Sequence, residues 1–391
     1  MRATLLDEVK IIDTDTHVVE PPDLWISRVS TQRWGDLVPH VDADDNGDPA
    51  WYVASRKVMP VAAAAMAGWK EYPPSHPPTL AEADRASWDP VERLKRMDQD
   101  GIWAQVLYPN VAGFGGGNFT DVSEPELMLA CVQAYNDFLS DYASIGPGRF
   151  IPVMSLPFWD LELTMKEMRR AADNGHKGII FSGVPESWGQ PHLTDRYWDP
   201  MWAQAQEMGL PINFHIASGD ISDLGKDANP QNGDSANYAM LGVSFFMGNA
   251  GTIAKLTCGG VCHRFPDLKF VSVESGIGWI PFALAALDWQ WLNCGVFKEH
   301  PEYDMLPSQY FRRQIYGCFW FEQESALSAI EQIGPDNILY GTDFPHPTSM
   351  SPGPASAATT PREYLQATFA DVDDESMTKI LYGNAAKLYG L

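Results

Sequence analysis

The chain has 391 residues, 45% of them hydrophobic and 20% charged, a globular composition that can fill one large barrel or several small domains. Its formal net charge of −24 repels phosphate backbones and anionic lipid, which argues against nucleic-acid and membrane partners and favours solubility; the expected partner is a small-molecule substrate. Five cysteines with no CxxC pair make neither a disulfide framework nor a zinc ribbon; with no apolar leader core and no run near ~18 apolar residues, the expected location is the cytoplasm.

In chain order, Val9-Lys10-Ile11-Ile12 reads as the start of a buried strand that runs into Asp13-Thr14-Asp15-Thr16-His17. Asp15 and His17 are two apart, so a strand turns both side chains to one face. Residues 18–88 then break the rhythm. Glu20-Pro21-Pro22-Asp23 interrupts the chain, Asn46-Gly47 marks a hairpin ahead of Trp51-Tyr52-Val53, and Pro73-Pro74-Ser75-His76-Pro77-Pro78 is a stiff connector. This stretch reads as a flap over the mouth of the main domain, with His40 and His76 on its surface.

From Asp89-Pro90, a cap and first-turn pair, helices and strands alternate. A helix to Asp100 leads to strand Ile102 to Tyr108. The glycine-rich loop Gly113 to Gly117 lacks the GK[ST] ending of a phosphate loop and reads as flexible backbone near the mouth. Further helices are predicted at 124–145, 160–173, 200–208, 239–262, 279–292 and 325–333, and strands at 150–154, 178–182, 211–215, 269–273, 314–319 and 338–343. Residues 371–389 read as closing helices. Eight strands with helices between them predict a (β/α)8 TIM-type barrel, a single domain over 1–391 with the flap inserted after strand one.

Barrel enzymes keep their chemistry at the C-terminal ends of the strands. There, strand one offers Asp15 and His17, strand five His215, strand six Glu274, and strand eight Asp343 with His346 three residues on. Mixed imidazole and carboxylate donors suit a divalent cation, zinc first and manganese or iron next, one or two per chain. Such an ion lowers the pKa of bound water from about 15.7 toward about 7. Asp343 is the candidate to take the proton, and Glu274 to orient substrate or shuttle protons. His176 and His263-Arg264 precede strands, at the wrong end for catalysis, and read as structural, with Arg264 able to reach a carboxylate of a neighbouring subunit. Cys258 and Cys262 read as packed hydrophobes, Trp279, Trp289 and Trp291 as core or subunit contacts, and His192 and His300 as exposed. The Gly- and Asp-rich loop 219–237 is a candidate lid.

Ile12-Asp13-Thr14-Asp15-Thr16-His17, Leu210-Pro211-Ile212-Asn213-Phe214-His215, Arg264-Phe265-Pro266-Asp267-Leu268-Lys269, Gly341-Thr342-Asp343-Phe344-Pro345 and Gly383-Asn384-Ala385-Ala386-Lys387-Leu388-Tyr389 together resemble the amidohydrolase-related family, in the branch that contains aminocarboxymuconate-semialdehyde decarboxylase. The resemblance spans nearly the whole chain and is loosest over 18–88. It implies metal ligands at Asp15, His17, His215 and Asp343. Two positions depart from the family pattern. Its first-strand pair is His-x-His, where Asp15 makes the site harder and less zinc-exclusive. Its strand-six histidine, a proton-transfer group in the decarboxylases, is Glu274 here, and with His346 it could hold a second metal, as in the few relatives that use two irons or manganeses to activate oxygen.

The leading functional expectation is a metal-dependent hydrolase that attacks an amide, ester or ring carbonyl. A non-oxidative decarboxylase of an aromatic or unsaturated acid and a dinuclear oxygen-activating enzyme are the alternatives. A barrel that has lost catalysis and supports a homologous partner subunit is the reading from another class. A homo-oligomer, dimer or higher, is the expected assembly.

Overall fold

The computed structural model describes residues 1, 4–219 and 228–391. Strand β1 (Ile11–His17) is buried at every position, as a strand covered on both faces must be. The flap that follows is a three-stranded antiparallel sheet, not a lone hairpin: β2 (His40–Ala43), β3 (Pro49–Val53) and β4 (Arg56–Pro60). The turn around Asn46-Gly47 is held by Asp44 Oδ1, which accepts from the backbone N–H groups of Asn46 and Asp48.

The main sheet continues through β5 (Ile102–Tyr108), β6 (Phe150–Met154), β7 (Gly178–Ile180), β8 (Ile212–His215), β9 (Phe270–Val273), β10 (Ile315–Phe319) and β11 (Ile338–Tyr340). Each pairs in parallel with its predecessor in the order β1-β5-β6-β7-β8-β9-β10-β11. Past Tyr340 the chain runs back beside β1. The Asp343 N–H donates to Asp15 O at 2.8 Å, and the His17 N–H donates to Phe344 O at 2.7 Å. These two bonds close the ring, and helices between the strands complete a (β/α)8 barrel. The helix Pro90–Asp100 shows how its ends are set. Asp89 accepts from the Val91 and Glu92 N–H groups, Pro90 opens the first turn, and Gly101, at φ 72°, ends it.

Ile12, Val106, Ile151, Val153, Val271 and Leu339 pack inside the ring. The C-terminal helix Asn384–Tyr389 plugs its floor, with Tyr389 donating to Asn213 Oδ1 at 2.7 Å. The room left for chemistry is at the upper rim, where the strands end.

Several expectations need correction. The predicted strand 338–343 stops at Tyr340, because Asp343 takes a left-handed backbone at φ 58°. The predicted helix 239–262 is three helices, Asp234–Phe246, Asn249–Cys258 and Val261–Arg264, separated at Gly248 and at Gly259-Gly260. The loop Gly113 to Gly117 is close-packed: a Cβ on Gly117 would come within 2.3 Å of the Trp188 ring. Arg264 takes the structural place expected of it, its Nε donating to Asp199 Oδ1 at 3.0 Å. His40 is half-buried and stacks on Tyr52, and His76 is half-buried too. Of the candidate lid, residues 220–227 lie outside the described residues. No described helix is long and apolar enough to cross a membrane.

Candidate metal centre and substrate cavity

All six predicted site residues meet at the C-terminal rim. His17 Nε2 lies 3.7 Å from Asp15 Oδ1 and 3.5 Å from Asp343 Oδ1. His215 Nε2 lies 3.2 Å from His17 Nε2, 3.8 Å from Asp15 Oδ1 and 3.0 Å from Glu274 Oε2. His346 Nδ1 lies 2.9 Å from Asp343 Oδ1, and the His346 ring stacks on His17 at 3.5 Å. Asp15, His17 and His215 are fully buried, and Glu274 is 9% exposed. Asp343 and Glu274 both hold left-handed backbones, φ 58° and 56°, the kind of strain that concentrates at functional sites.

The hydrogen bonds on the far sides of the rings fix what faces inward. His17 Nδ1 is 3.1 Å from Pro109 O, and His215 Nδ1 is 3.0 Å from Ile216 O. A carbonyl only accepts, so each Nδ1 carries the proton and each Nε2 is bare in the neutral ring. His346 has the opposite tautomer. Its Nε2 lies 2.6 Å from Asn110 Oδ1, and the orientation of that amide is set by Asn110 Nδ2 donating to Val18 O at 2.9 Å. His346 Nδ1 is therefore the bare nitrogen. Three lone pairs thus point at three carboxylates.

Both oxygens of Asp15 and both of Asp343 are buried without a hydrogen-bond partner. Acceptors crowded against acceptors are unfavourable unless protons or cations lie among them. Burial, then the neighbouring Glu274, holds the Asp15 and Asp343 carboxyls well above the ordinary carboxylate range. Burial, then the other histidines, holds His17 well below the usual imidazole value, and burial does the same to His346. The donor set fits a divalent cation. Two overlapping groups, Asp15, His17 and His215 on one side and His17, Glu274, Asp343 and His346 on the other, each bring ligand atoms within 4.8 Å of one another.

A second layer supports these groups. Asp13 accepts from the Thr342 N–H and, at 2.6 Å, from Thr342 Oγ1, tying β1 to the segment that carries Asp343; burial pushes its carboxyl up to about 7. Arg93 donates to His17 O at 3.0 Å. Glu20, also fully buried, accepts from the Asn110 and Val111 N–H groups. Gly341 leaves room that no other residue could: a Cβ there would stand 2.7 Å from Asp15 Cβ.

Above the centre is a cavity of about 360 Å³, walled by Met59, Phe114, Trp188, Ile216, Leu241 and Phe245, with Glu274, His346 and Asn110 at its base. Phe114 stacks on His215 at 3.9 Å and covers that ring. None of the described lining residues is Lys or Arg. Asn110, Glu20 and Tyr238, which also lines the cavity, were not singled out from the sequence.

A parallel barrel whose rim gathers buried imidazoles and carboxylates defines a class of metal-centred barrel enzymes. A family model for amidohydrolases matches residues 12–391, and the chain belongs to that family. It is 25% identical over 318 residues to the 2-amino-3-carboxymuconate-6-semialdehyde decarboxylase of Dictyostelium discoideum, covering 79% of each chain. An amidohydrolase from Mycobacterium avium subsp. paratuberculosis superposes with a TM-score of 0.76 at 21% identity, over 98% of this chain and 99% of that one. A dihydroxybenzoic acid decarboxylase from Polaromonas sp., solved with bound manganese and 2-nitroresorcinol, gives a TM-score of 0.62 at 20% identity, over 98% and 97%.

Proposed function

We propose that the chain is a divalent-metal-dependent carboxy-lyase that releases carbon dioxide, without oxidation, from an aromatic or unsaturated acid. The observation that carries this reading is the convergence of three bare imidazole nitrogens and three carboxylates beneath an apolar cavity with no basic residue in its described lining. Decarboxylases among the relatives support it over hydrolysis, and the manganese in one of their structures supports the hard cation that Asp15 favours. Asp15, His17, His215 and Asp343 would hold the ion. When bound, it supplies the positive charge that grips the substrate carboxylate and an adjacent oxygen and draws electron density from the ring.

The chain's own residues do the rest. Phe114 and Trp188 give an acid's ring an apolar bed and exclude water. Breaking the carbon–carboxyl bond leaves an electron pair on carbon, which one proton must fill. Of the three carboxyl groups, Glu274 is the one that lines the cavity, and it delivers that proton. The test is to supply the manganese-loaded chain with hydroxybenzoates and muconates while following carbon dioxide and oxygen. Carbon dioxide release without oxygen uptake is expected, and none across the panel overturns the reading.

One observation favours a second reading. Asp15, His17 and His215 form one group of ligand atoms and His17, Glu274, Asp343 and His346 a second, overlapping group, a donor set with enough members for two ions. In a two-ion site Glu274 is a ligand with His346, and oxygen activation becomes the chemistry. Glu274→Gln separates the two. With one ion it abolishes carbon dioxide release and keeps the metal content, whereas with two it drops the content from about two ions per chain to about one.

A further inference from the structure

The space over the centre does not end at the apolar chamber. Tyr238, Gly242, Phe246, His346 and Thr348 are shared walls, and beyond them lies a second chamber of about 630 Å³. Its character differs. The flap contributes Trp69 and Tyr72, the segment after β10 contributes Gln323, and the segment after β11 contributes Ser349, Ser351 and Thr359. These polar groups, with the Glu71 carboxylate, are set among apolar neighbours such as Met66, Phe321 and Met350. Again no described lining residue is Lys or Arg.

Pockets of roughly 300–1,000 Å³ hold drug-sized ligands. The first chamber, at about 360 Å³, sits at the small end of that range, which suits a monocyclic head and little more. The two together reach the large end. His346 lines both, so a molecule whose reacting end lies against Glu274 and His346 has the second chamber next to it, across Tyr238.

We infer that the substrate is bipartite: an acid head in the first chamber and an uncharged extension, aromatic or alicyclic and bearing hydroxyl or carbonyl groups, in the second. An anionic extension is excluded by the absence of any described basic lining residue and by the net charge of −24. The head rests on the carboxy-lyase reading; the extension does not.

The test uses two pairs of probes on the full chain purified with manganese, with affinity measured by calorimetry. One pair is salicylate and 5-(3-phenylpropoxy)salicylate; the other is salicylamide and its 5-(3-phenylpropoxy) derivative. The phenylpropoxy arm is expected to tighten binding by about tenfold or more with either head, from the apolar area it buries. Ala358→Trp, in the second chamber, is expected to remove that gain while leaving salicylate within about twofold. Thr359→Trp, at a more exposed position of the same wall, gives the same answer should the first variant fold poorly. No gain from the arm with either head, or a gain that survives both tryptophans, overturns the inference. The carboxy-lyase reading falls separately, if the carboxamides bind as tightly as the carboxylates and no carbon dioxide appears.

Discussion

His346 Nε2 sits 2.6 Å from Asn110 Oδ1, and this hydrogen bond decides which nitrogen of the ring faces the centre. It commits the proton to the outer side and leaves Nδ1 bare, 2.9 Å from Asp343 Oδ1. Asn110 is held in turn by Val18 O and by Glu20, so the tautomer of a rim histidine is set by the first residues of the flap.

Asn110→Ala is therefore expected to free the His346 tautomer without touching the core. Partners of this kind contribute about 10–100-fold to metal affinity. In the two-ion reading, where His346 is a ligand, a chelator competition assay should show a loss of that size in manganese affinity with little change in the urea midpoint of the metal-free chain. An unchanged affinity would show that His346 takes no part in holding the ion.

Metal uptake is expected to release protons. Burial and Glu274 hold the Asp15 and Asp343 carboxyls above their ordinary range, so the metal-free site carries protons that a cation must displace. Apparent affinity then rises with pH, by up to about tenfold per pH unit for each proton displaced. Calorimetry in buffers of different ionisation enthalpy measures that proton count, and a count of zero at neutral pH would rule out protonated carboxyls at the centre.

Glu20 makes a separate prediction about stability. Its carboxyl is raised to about 7 by burial, against about 4.3 in an unfolded chain. The folded form keeps the proton where the unfolded form has lost it, so the stabilisation is complete below about pH 4 and is lost as pH rises toward 7. Glu20→Gln removes this titration while keeping an acceptor for the Asn110 and Val111 N–H groups. The difference in urea midpoint between wild type and variant, both metal-free, should drift in the variant's favour across that window. A constant difference would show that the Glu20 carboxyl has the same pKa in the folded and unfolded chain.

Gly341→Ala tests how tightly the centre is built. The new methyl would stand 2.7 Å from Asp15 Cβ and 2.8 Å from Cys318 Sγ. Overpacking of this kind costs about 1–3 kcal/mol. Urea unfolding should show that loss, and because the contact displaces Asp15, cation affinity should fall by at least about tenfold as well.

Much of this arrangement could be read from residue order. The β-branched run at Ile11-Ile12 and the spacing of Asp15 and His17 place two donors on one face, and regular alternation puts His215, Glu274 and Asp343 at equivalent strand ends. What escaped notice depends on contacts distant in sequence. Asn110 and His346 are 236 positions apart, and Glu20 and Asn110 are 90 apart. Glu20-Pro21-Pro22 reads only as a break in the chain, and nothing local shows that its carboxylate is buried. Asn110 did carry a signal, since it lies just beyond the end of strand two, on the same rim as the other donors. The end of the last strand escaped because Asp343 abandons extended backbone to aim its side chain, a choice set by the centre and not by β propensity.

The bonds from Asp343 to Asp15 and from His17 to Phe344 join the beginning of the chain to its end. During synthesis the opening strand therefore has no closing neighbour until residue 344 has cleared the ribosome. A nascent chain halted before that point carries two raw sheet edges and lacks Asp343 and His346 of the six site residues. Truncation before Asp343 should leave a product that binds an ion weakly at best and sticks to its own kind, whatever the integrity of the strands already made.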